Sequence, residues 1–189
     1  EVRAYYSLIY TIAQDKSGLD VDNDSLLSYA YNYYRQHKDD SLYAKCLYYM
    51  GKYYYLIDST KQSVDLLSEA NRVAKEQGDL YTQYLALAKL SKAIMVRSPQ
   101  ESVEFAQKAY DVFLKHDSSN TYNKIQLLLT IGDGFYMSNQ ADSSLKYNKL
   151  AHSLALKLND REVLASTFHS LSYAYRDLNA LDSALMYEK

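Results

Sequence analysis

The 189-residue sequence contains few of the residues that crosslink or interrupt a chain: one cysteine, one proline, five glycines and no tryptophan. The single cysteine, Cys46, excludes an intrachain disulfide, and its apolar helical surroundings predict a buried small residue. Scarce proline and glycine leave no flexible linker, so the sequence shows no domain boundary. These absences favour one continuous body of regular structure.

An excess of charge of one sign is also lacking. The chain has 21 Lys and Arg against 23 Asp and Glu, with both signs scattered along every segment, and its formal net charge is -2. This distribution provides no basic stripe for a phosphate backbone and no polybasic membrane patch, so direct nucleic-acid binding is not expected. No apolar run approaches the roughly 18 residues of a membrane span.

Patterns that would support catalysis or a metal site are missing too. The four histidines never fall three or four positions apart, and none adjoins the cysteine, so no helical metal-ligand pair exists. No Gly-x-Ser-x-Gly motif occurs, and the segment Gly132-Asp133-Gly134 lacks the preceding strand and the Gly-Lys-Ser of a phosphate loop. We therefore predict a protein that is not an enzyme, with no catalytic residue, no metal and no cofactor.

One acidic loop has the beginning of a calcium-site pattern but not the rest. Asp20, Asp22 and Asp24 alternate like the first three ligands of such a loop. However, Ser25 occupies the obligatory glycine position and Tyr31 the bidentate glutamate position. The segment is therefore predicted to be a solvated loop in front of a helix.

The most informative feature that is present is a repeat. Gly51, Ser91, Gly132 and Ser172 lie 40, 41 and 40 residues apart, each between large apolar or aromatic residues. A fixed period of this length is typical of repeat arrays. Each segment is predicted to form the first helix of a helical hairpin.

A second series of small residues marks the second helix of each hairpin. It consists of Ala70, Ala109 and Ala151, spaced 39 and 42 residues apart. Small side chains at fixed spacing indicate places where two helices approach closely. The next member belongs about 40 residues after Ala151, beyond Lys189, so we expect a truncated last hairpin and a natural reading frame that continues.

Turn residues between the apolar segments divide the chain into ten predicted helices. Asp58, Asn139 and Asn179 occupy the same place between paired helices, and each tolerates the left-handed backbone of a tight turn. The helices are expected at 2–14, 24–37, 41–57, 60–77, 80–96, 99–115, 121–138, 141–158, 161–178 and 181 to the end. The hairpins at about 1–39, 40–79, 80–118, 119–159 and 160–189 form a single predicted domain, 1–189.

These residues resemble the tetratricopeptide repeat (TPR). The third repeat shows its pattern at Leu128, Ile131, Gly132, Phe135, Ser144 and Ala151, and the first clear repeat at Leu47, Met50, Gly51, Tyr54, Ser63, Leu67 and Ala70. The period is about 40 rather than 34, and Asn148 replaces an aromatic residue. Longer helices explain the period, as in bacterial regulator and kinesin-light-chain-like arrays. The resemblance implies an all-α fold, a right-handed α-α superhelix (TPR-like solenoid) of about five antiparallel helical hairpins.

The opening segment, residues 4–40, has a resemblance of its own. It is similar to the entry hairpin of TPR sensor regions in membrane-anchored bacterial signalling proteins. This similarity implies a sensing or docking part of a larger regulator. It favours a periplasmic or envelope-associated location over a cytoplasmic one, and the sequence otherwise leaves the compartment open.

Tyrosine is unusually abundant, with 22 residues against four phenylalanines. Tyr34, Tyr54 and Tyr175 fall on predicted core positions, where the ring packs and the hydroxyl reaches solvent or a backbone acceptor. Other tyrosines lie at positions that line the inner groove in the resembled family. Those groove positions are Lys45, Tyr48, Lys52, Tyr55, Lys92, Met95, Asp133, Tyr136, His169, Tyr173 and Arg176.

The predicted function is a non-catalytic interaction scaffold that binds a peptide or protein segment in this tyrosine-rich groove, because rigid amphipathic rings supply contact area at small entropic cost. The alternative is a glycan- or small-ligand-binding module that uses stacked tyrosines. The Lys/Asn clamp of chaperone-binding TPR domains is not matched, since Tyr48 and Lys52 fill its leading positions. The sequence names neither the partner nor the oligomeric state.

Overall fold

The computed structural model describes residues 1–19, 24–38 and 40–187, and the regular elements in these ranges are all α-helices. They are α1 (Val2–Lys16), α2 (Asp24–Tyr34), α3 (Tyr43–Leu56), α4 (Thr60–Gln77), α5 (Leu80–Ile94), α6 (Pro99–Asp117), α7 (Thr121–Met137), α8 (Ala141–Leu158), α9 (Arg161–Asp177) and α10 (Leu181–Tyr187). The predicted bounds agree to within three residues. None of the described helices is both long and apolar enough to cross a membrane. Asp20 and Asp22 of the acidic loop and the last two residues of the chain lie outside the described residues.

Helices that are adjacent in sequence pack together. The pairs α1–α2, α3–α4, α7–α8 and α9–α10 are joined by short connections and contact each other extensively. The chain forms two compact units, residues 1–93 (unit 1) and 94–189 (unit 2). The predicted all-α fold of packed helical hairpins is confirmed. The assignment of all 189 residues to a single domain stays a prediction.

Left-handed residues terminate the first helix of several hairpins, as predicted. Asp58, Asn139 and Asn179 have φ angles of 57°, 57° and 55°. Between hairpins, Gly78 and Asn159 end α4 and α8 in the same conformation, with φ angles of 71° and 55°. Asn and Asp tolerate this region because their short polar side chains bond locally, and Gly because it has no Cβ. The repeat period is therefore marked by backbone conformation as well as by packing.

Side-chain caps begin α5, α7 and α9. The Asn120 side chain accepts a hydrogen bond from the Asn123 N–H, and Asp160 accepts from the N–H groups of Glu162 and Val163. Asp79 likewise accepts from the Thr82 N–H at 3.1 Å. The sequence Ser98-Pro99 favours a side-chain cap at Ser98 followed by proline at the first helical position. Pro99 does begin α6, but the expectation of a cap is wrong, since the Ser98 side chain makes no cap hydrogen bond. The backbone of Ser98 has a φ of -139° and a ψ of 69°.

Asp160→Ala should lower the free energy of unfolding by about 1 kcal/mol, because two backbone N–H groups at the start of α9 lose their acceptor. Chemical denaturation of the purified chain would measure the change. Ser98→Ala is the matched control, because Ser98 is an N-cap residue without a cap bond, and we expect it to be nearly neutral. Equal effects of the two substitutions would contradict the assigned cap.

The small residues of the repeat lie at close helix contacts. A Cβ added at Gly51 would meet the Leu67 Cγ at 2.7 Å, well inside van der Waals contact. Ser63, one turn before Leu67, donates a hydrogen bond from its Oγ to the Gly51 carbonyl at 2.9 Å and is fully buried. Ser91 and Ser172, the serines of the same series, are also buried. The period read from the sequence therefore corresponds to a packing requirement.

A buried amide faces the third small residue. Asn148 of α8 is 1% exposed and donates from Nδ2 to the Ser170 carbonyl at 3.1 Å and to Ser144 Oγ at 3.3 Å. Its Oδ1 has no hydrogen-bond partner in the described structure and occupies the space that a Cβ on Gly132 would need. The departure of Asn148 from the aromatic of the family pattern is thus matched by glycine on the facing helix.

Apolar residues of three helices form the core of unit 2. The cluster joins α7, α8 and α9 through Ile125, Leu128, Leu129, Ala151, Ala155 and Val163. Half-buried Tyr110, Tyr147, Leu154 and Leu164 pack against it. Ala151, the small residue of the second series, is fully buried in this core, as predicted for a close contact between helices.

Tyrosine also contributes to the core. Tyr34 is buried as predicted, whereas Tyr54 and Tyr175 are only half-buried. Of the other tyrosines whose burial the structure describes, Tyr43, Tyr48, Tyr49 and Tyr84 are also buried. Cys46 is fully buried, and burial raises the pKa of its thiol to about 12, so it is a packed, protonated residue as the sequence predicts.

Candidate partner-binding surfaces

The predicted groove residues lie on the first helices of the hairpins, with one exception in a turn. Unit 1 carries Lys45, Tyr48, Lys52 and Tyr55 on α3 and Lys92 on α5. Unit 2 carries Met95 in the turn after α5, Asp133 and Tyr136 on α7, and His169, Tyr173 and Arg176 on α9. The two sets are called the unit 1 surface and the unit 2 surface below.

Two ion pairs fix lysines of the unit 1 surface. Lys52 of α3 is paired with Asp15 of α1, and the Lys45 Nζ lies 3.1 Å from the Asp79 Oδ2. Burial alone would raise the pKa of the Asp79 carboxyl, but hydrogen bonds from Thr82 and Lys45 outweigh it and hold that pKa below its usual range. Both acids are partly shielded from water, which strengthens the attraction over that of an exposed pair.

A third lysine, Lys89 of α5, belongs to the same surface although it is not among the predicted groove residues. Its Nζ lies 4.9 Å from the centroid of the Tyr55 ring, and the side chain is half-buried. Burial and the nearby ammonium groups of Lys92 and Lys52 lower its pKa to about 8, and Asp15 opposes them only weakly. A signal in the sequence was available. Lys89 stands two residues before the small residue Ser91, where two other repeats place the buried residues Tyr49 and Thr130.

Tyr48 differs from the other predicted groove residues because it is buried. It is 6% exposed and packs edge-to-face with Tyr49 at a ring distance of 5.0 Å. Burial holds the pKa of its phenol well above the usual range. Tyr48 therefore packs beneath the unit 1 surface, whereas a partner could contact Tyr55 and Lys92 directly.

Aromatic rings join the two first helices that form the unit 2 surface. Tyr136 of α7 and Tyr173 of α9 have ring centroids 5.7 Å apart, and His169 meets Tyr173 edge-on at 4.5 Å. The Arg176 guanidinium lies over the Tyr173 ring at 4.5 Å from its centroid. The tyrosines are half-buried, while His169 and Arg176 are exposed. Contacts among the side chains thus restrict the rotamers of the rings before any partner arrives.

Hydrogen bonds and charge add polar character beside these rings. The Ser170 hydroxyl donates to Asp133 Oδ1 at 3.5 Å. Asp133 is half-buried, so the unit 2 surface presents both signs of charge around an aromatic centre. The described residues contain no group of three or more His, Cys, Asp or Glu side chains placed to hold a metal ion. The arrangement has the features of a recognition surface.

Comparison with known proteins finds solved structures that have a similar fold. No protein-family model and no curated sequence matches the chain. Among solved structures, a Podosopora anserina putative kinesin light chain with TPR-like repeats is similar with a TM-score of 0.77 at 12% identity, over 98% of this chain and 91% of that one. BtubC from P. vanneervenii is similar with a TM-score of 0.74 at 13% identity, over 97% and 85%.

A third similar structure belongs to a much longer protein. It is a Signal Transduction ATPase with Numerous Domains that has a tetratricopeptide repeat sensor, from Pyrococcus horikoshii. The TM-score is 0.80 at 16% identity, over 97% of this chain and 28% of that one. Together with the helical repeat, these similarities define the class: the chain has the TPR-like repeat fold, as its sequence pattern implied. At these identities the likeness concerns the fold alone.

Proposed function

We propose that this chain is a non-catalytic interaction scaffold whose first-helix surfaces bind a peptide or protein segment. The observation that carries the proposal is the set of accessible tyrosines on these helices, Tyr55 in unit 1 and Tyr136 and Tyr173 in unit 2, each in contact with a cation or another ring. Repeat arrays of this class characteristically use such surfaces for binding.

Tyrosine suits this role for a physical reason. It offers large, rigid contact area with a hydroxyl that can hydrogen-bond, and only two side-chain torsions must be fixed on binding. The contacts of Tyr173 with His169 and Arg176 restrict part of this freedom in advance. Pre-ordered side chains reduce the entropic cost of association.

We further propose that the scaffold is the sensing or docking part of a larger bacterial regulatory protein. The similarity to a signal-transduction ATPase supports this role, because that protein has a tetratricopeptide repeat sensor. A periplasmic or envelope-associated location accompanies the proposal as the prediction made from residues 4–40. Expression of the full-length gene product followed by cell fractionation would test both.

A glycan- or small-ligand-binding module is the second candidate, since stacked aromatic rings also bind sugars. The tilted pair Tyr136 and Tyr173 favours it, but Arg176 already covers one region of the Tyr173 ring. A glycan array probed with the purified chain distinguishes the two candidates. Specific glycan binding that is lost with Tyr136→Ala would replace the peptide proposal.

The peptide proposal is tested by selecting peptides from a random display library and measuring their affinities by fluorescence anisotropy. Tyr55→Ala and Tyr136→Ala, alone and combined, should weaken selected peptides by about tenfold or more, because buried aromatic anchors dominate such interfaces. Both tyrosines are half-buried surface residues, so we expect the melting temperature to change little.

The matched control removes similar apolar area from the second helix of a hairpin. Leu150 and Leu156 of α8 are 47% and 57% exposed, and the double alanine variant should bind selected peptides like the unmodified chain. Affinity lost in this control but not in the tyrosine variants would reject the first-helix surfaces. Failure to enrich any peptide above the library background would reject peptide recognition.

A further inference from the structure

The unit 1 surface contains more positive than negative charge. The ammonium groups of Lys52 and Lys92 and the carboxylate of Asp15 lie near the Lys89 ammonium, and the three lysines are called the lysine cluster below. Lys52 is paired with Asp15, whereas Lys89 and Lys92 have no ion-pair partner among the described residues. This local excess stands out because the chain as a whole carries a formal net charge of -2.

Lys89 makes the cluster unfavourable without a counter-charge. Its side chain is half-buried on α5, the Tyr55 ring centroid lies 4.9 Å from its Nζ, and Asp15 stabilises its charge only weakly. A ring quadrupole offsets only part of the cost of removing an ammonium from water. The remaining cost would fall if an anion approached, since attraction between opposite charges strengthens as water is excluded.

The two lysines without a counter-charge are placed to contact one ligand. Lys89 and Lys92 are three residues apart on α5, so they lie on neighbouring turns of one helix face. Lys92 is exposed and can contact an approaching anion first, whereas Lys89 and Tyr55 contact each other and are half-buried. An anion bound here would touch a side chain that the peptide proposal already uses.

We propose that the lysine cluster anchors an aspartate or glutamate side chain of the partner segment, with Lys89 and Lys92 donating hydrogen bonds to its carboxylate and Tyr55 packing beside it. This inference rests on the proposed function and specifies the partner as an acidic segment. A carboxylate fits better than a phosphate because Asp15 remains within the cluster and repels a dianion more strongly than a monoanion. The lysines also lack the forked geometry with which arginine grips a phosphate.

The probe is a fluorescein-labelled hexaglutamate peptide, with equally labelled hexaglutamine and phosphoserine-containing peptides as comparison ligands. At low ionic strength hexaglutamate should bind, its affinity should fall as salt is added, and hexaglutamine should not bind. Replacing Lys89 and Lys92 together by glutamine should weaken hexaglutamate by about tenfold or more, since bonds to charged groups are the stronger ones.

Lys61→Gln combined with Lys75→Gln provides the matched control, because both are exposed lysines on α4 and their loss removes the same two positive charges. We expect this control variant to bind hexaglutamate like the unmodified chain. Equal weakening by the control variant and by replacement of Lys89 and Lys92 would show attraction to overall charge and overturn the site. Tighter binding of the phosphoserine peptide than of hexaglutamate would overturn the assignment to a carboxylate.

Measuring hexaglutamate affinity at a series of pH values tests whether the charge of Lys89 contributes to binding. A lysine with only a structural role would not make the affinity depend on pH in this way. The groups that face Lys89 within unit 1 are Lys52, Lys92, Asp15 and the Tyr55 ring. Because the pKa of Lys89 is lowered to about 8, its charge is lost as the pH rises above that value, and hexaglutamate affinity should fall several-fold between about pH 7 and pH 10. Lys89→Arg keeps the charge, so its affinity should fall much less. Identical pH profiles would count against Lys89.

The two proposals fail in different ways. If display-selected peptides depend on Tyr55 and Tyr136 but neither they nor hexaglutamate respond to replacement of the lysines, the scaffold holds and the acidic anchor is overturned. If hexaglutamate weakens only in the lysine variants while no selected peptide depends on the tyrosines, the anion site is supported and the tyrosine surfaces are rejected.

Discussion

Gly132→Leu should lower the free energy of unfolding by roughly 1 to 3 kcal/mol or more, because a side chain at this position must displace the buried amide of Asn148. A Cβ at this position collides with Asn148 Oδ1 and would lie 2.9 Å from Asn148 Cγ. Asn148 is 1% exposed and is held by hydrogen bonds to Ser144 and Ser170, so it cannot move without breaking them. Urea denaturation of the purified variant measures the loss.

Gly132→Ala tests the same close contact, because the sign of its effect on stability depends on whether the contact exists. In a helix without close neighbours, this change stabilises by about 1 kcal/mol, because alanine has the higher helix propensity. Here we expect destabilisation. Adding Asn148→Ala should recover much of the loss, because the colliding amide is gone, and a double-mutant cycle measures the coupling. A melting temperature that is unchanged or raised in Gly132→Ala would show that the two helices are not in close contact.

Lys89→Met should raise the free energy of unfolding at pH 7 by about 1 kcal/mol. The pKa of Lys89 is lowered from 10.5 to about 8 by burial first and by Lys92 and Lys52 second. This difference would correspond to roughly 3 kcal/mol if fully expressed, and solvent near the partly exposed ammonium reduces it. Methionine keeps most of the packing against Tyr55 and removes the charge.

The effect should depend on pH in a defined direction. Between about pH 8 and pH 10.5 the unfolded chain binds the Lys89 proton more tightly than the folded chain, so the stability of the unmodified protein rises with pH across this window. The advantage of Lys89→Met should therefore shrink over the same range. Lys61→Met, at an exposed position, is the control and should show no such window. A constant advantage would contradict the assigned charge effect.

The helices and turns could be predicted from sequence because their causes are local. Asp58, Asn139 and Asn179 end helices through their own backbone preference, and the residues around Gly51 and Gly132 repeat at one period. Such signals need no knowledge of distant neighbours. For this reason the predicted helix bounds agree closely with the structure.

The binding surfaces were less predictable because they depend on contacts between helices. Family register places Tyr48 in the groove, but it is only 6% exposed, with Asp15 of α1 and Tyr84 of α5 near its phenol. Lys89 lies outside the family's inner positions, and only the proximity of α1 and α3 shows that it shares a cluster with Asp15 and Lys52. The fit of Asn148 to Gly132 likewise depends on the distance between two helices.

Packing between helices that are adjacent in sequence also has a kinetic consequence. Within unit 1, α1 contacts α2 and α3 contacts α4, so few long loops must close before native contacts form. Folding rates rise as contacts become more local, because less chain entropy is lost before each contact forms. Residues 1–93 form a compact unit and leave the ribosome before residues 94–189. Folding of this part of the protein can therefore begin while residues 94–189 are still being synthesised.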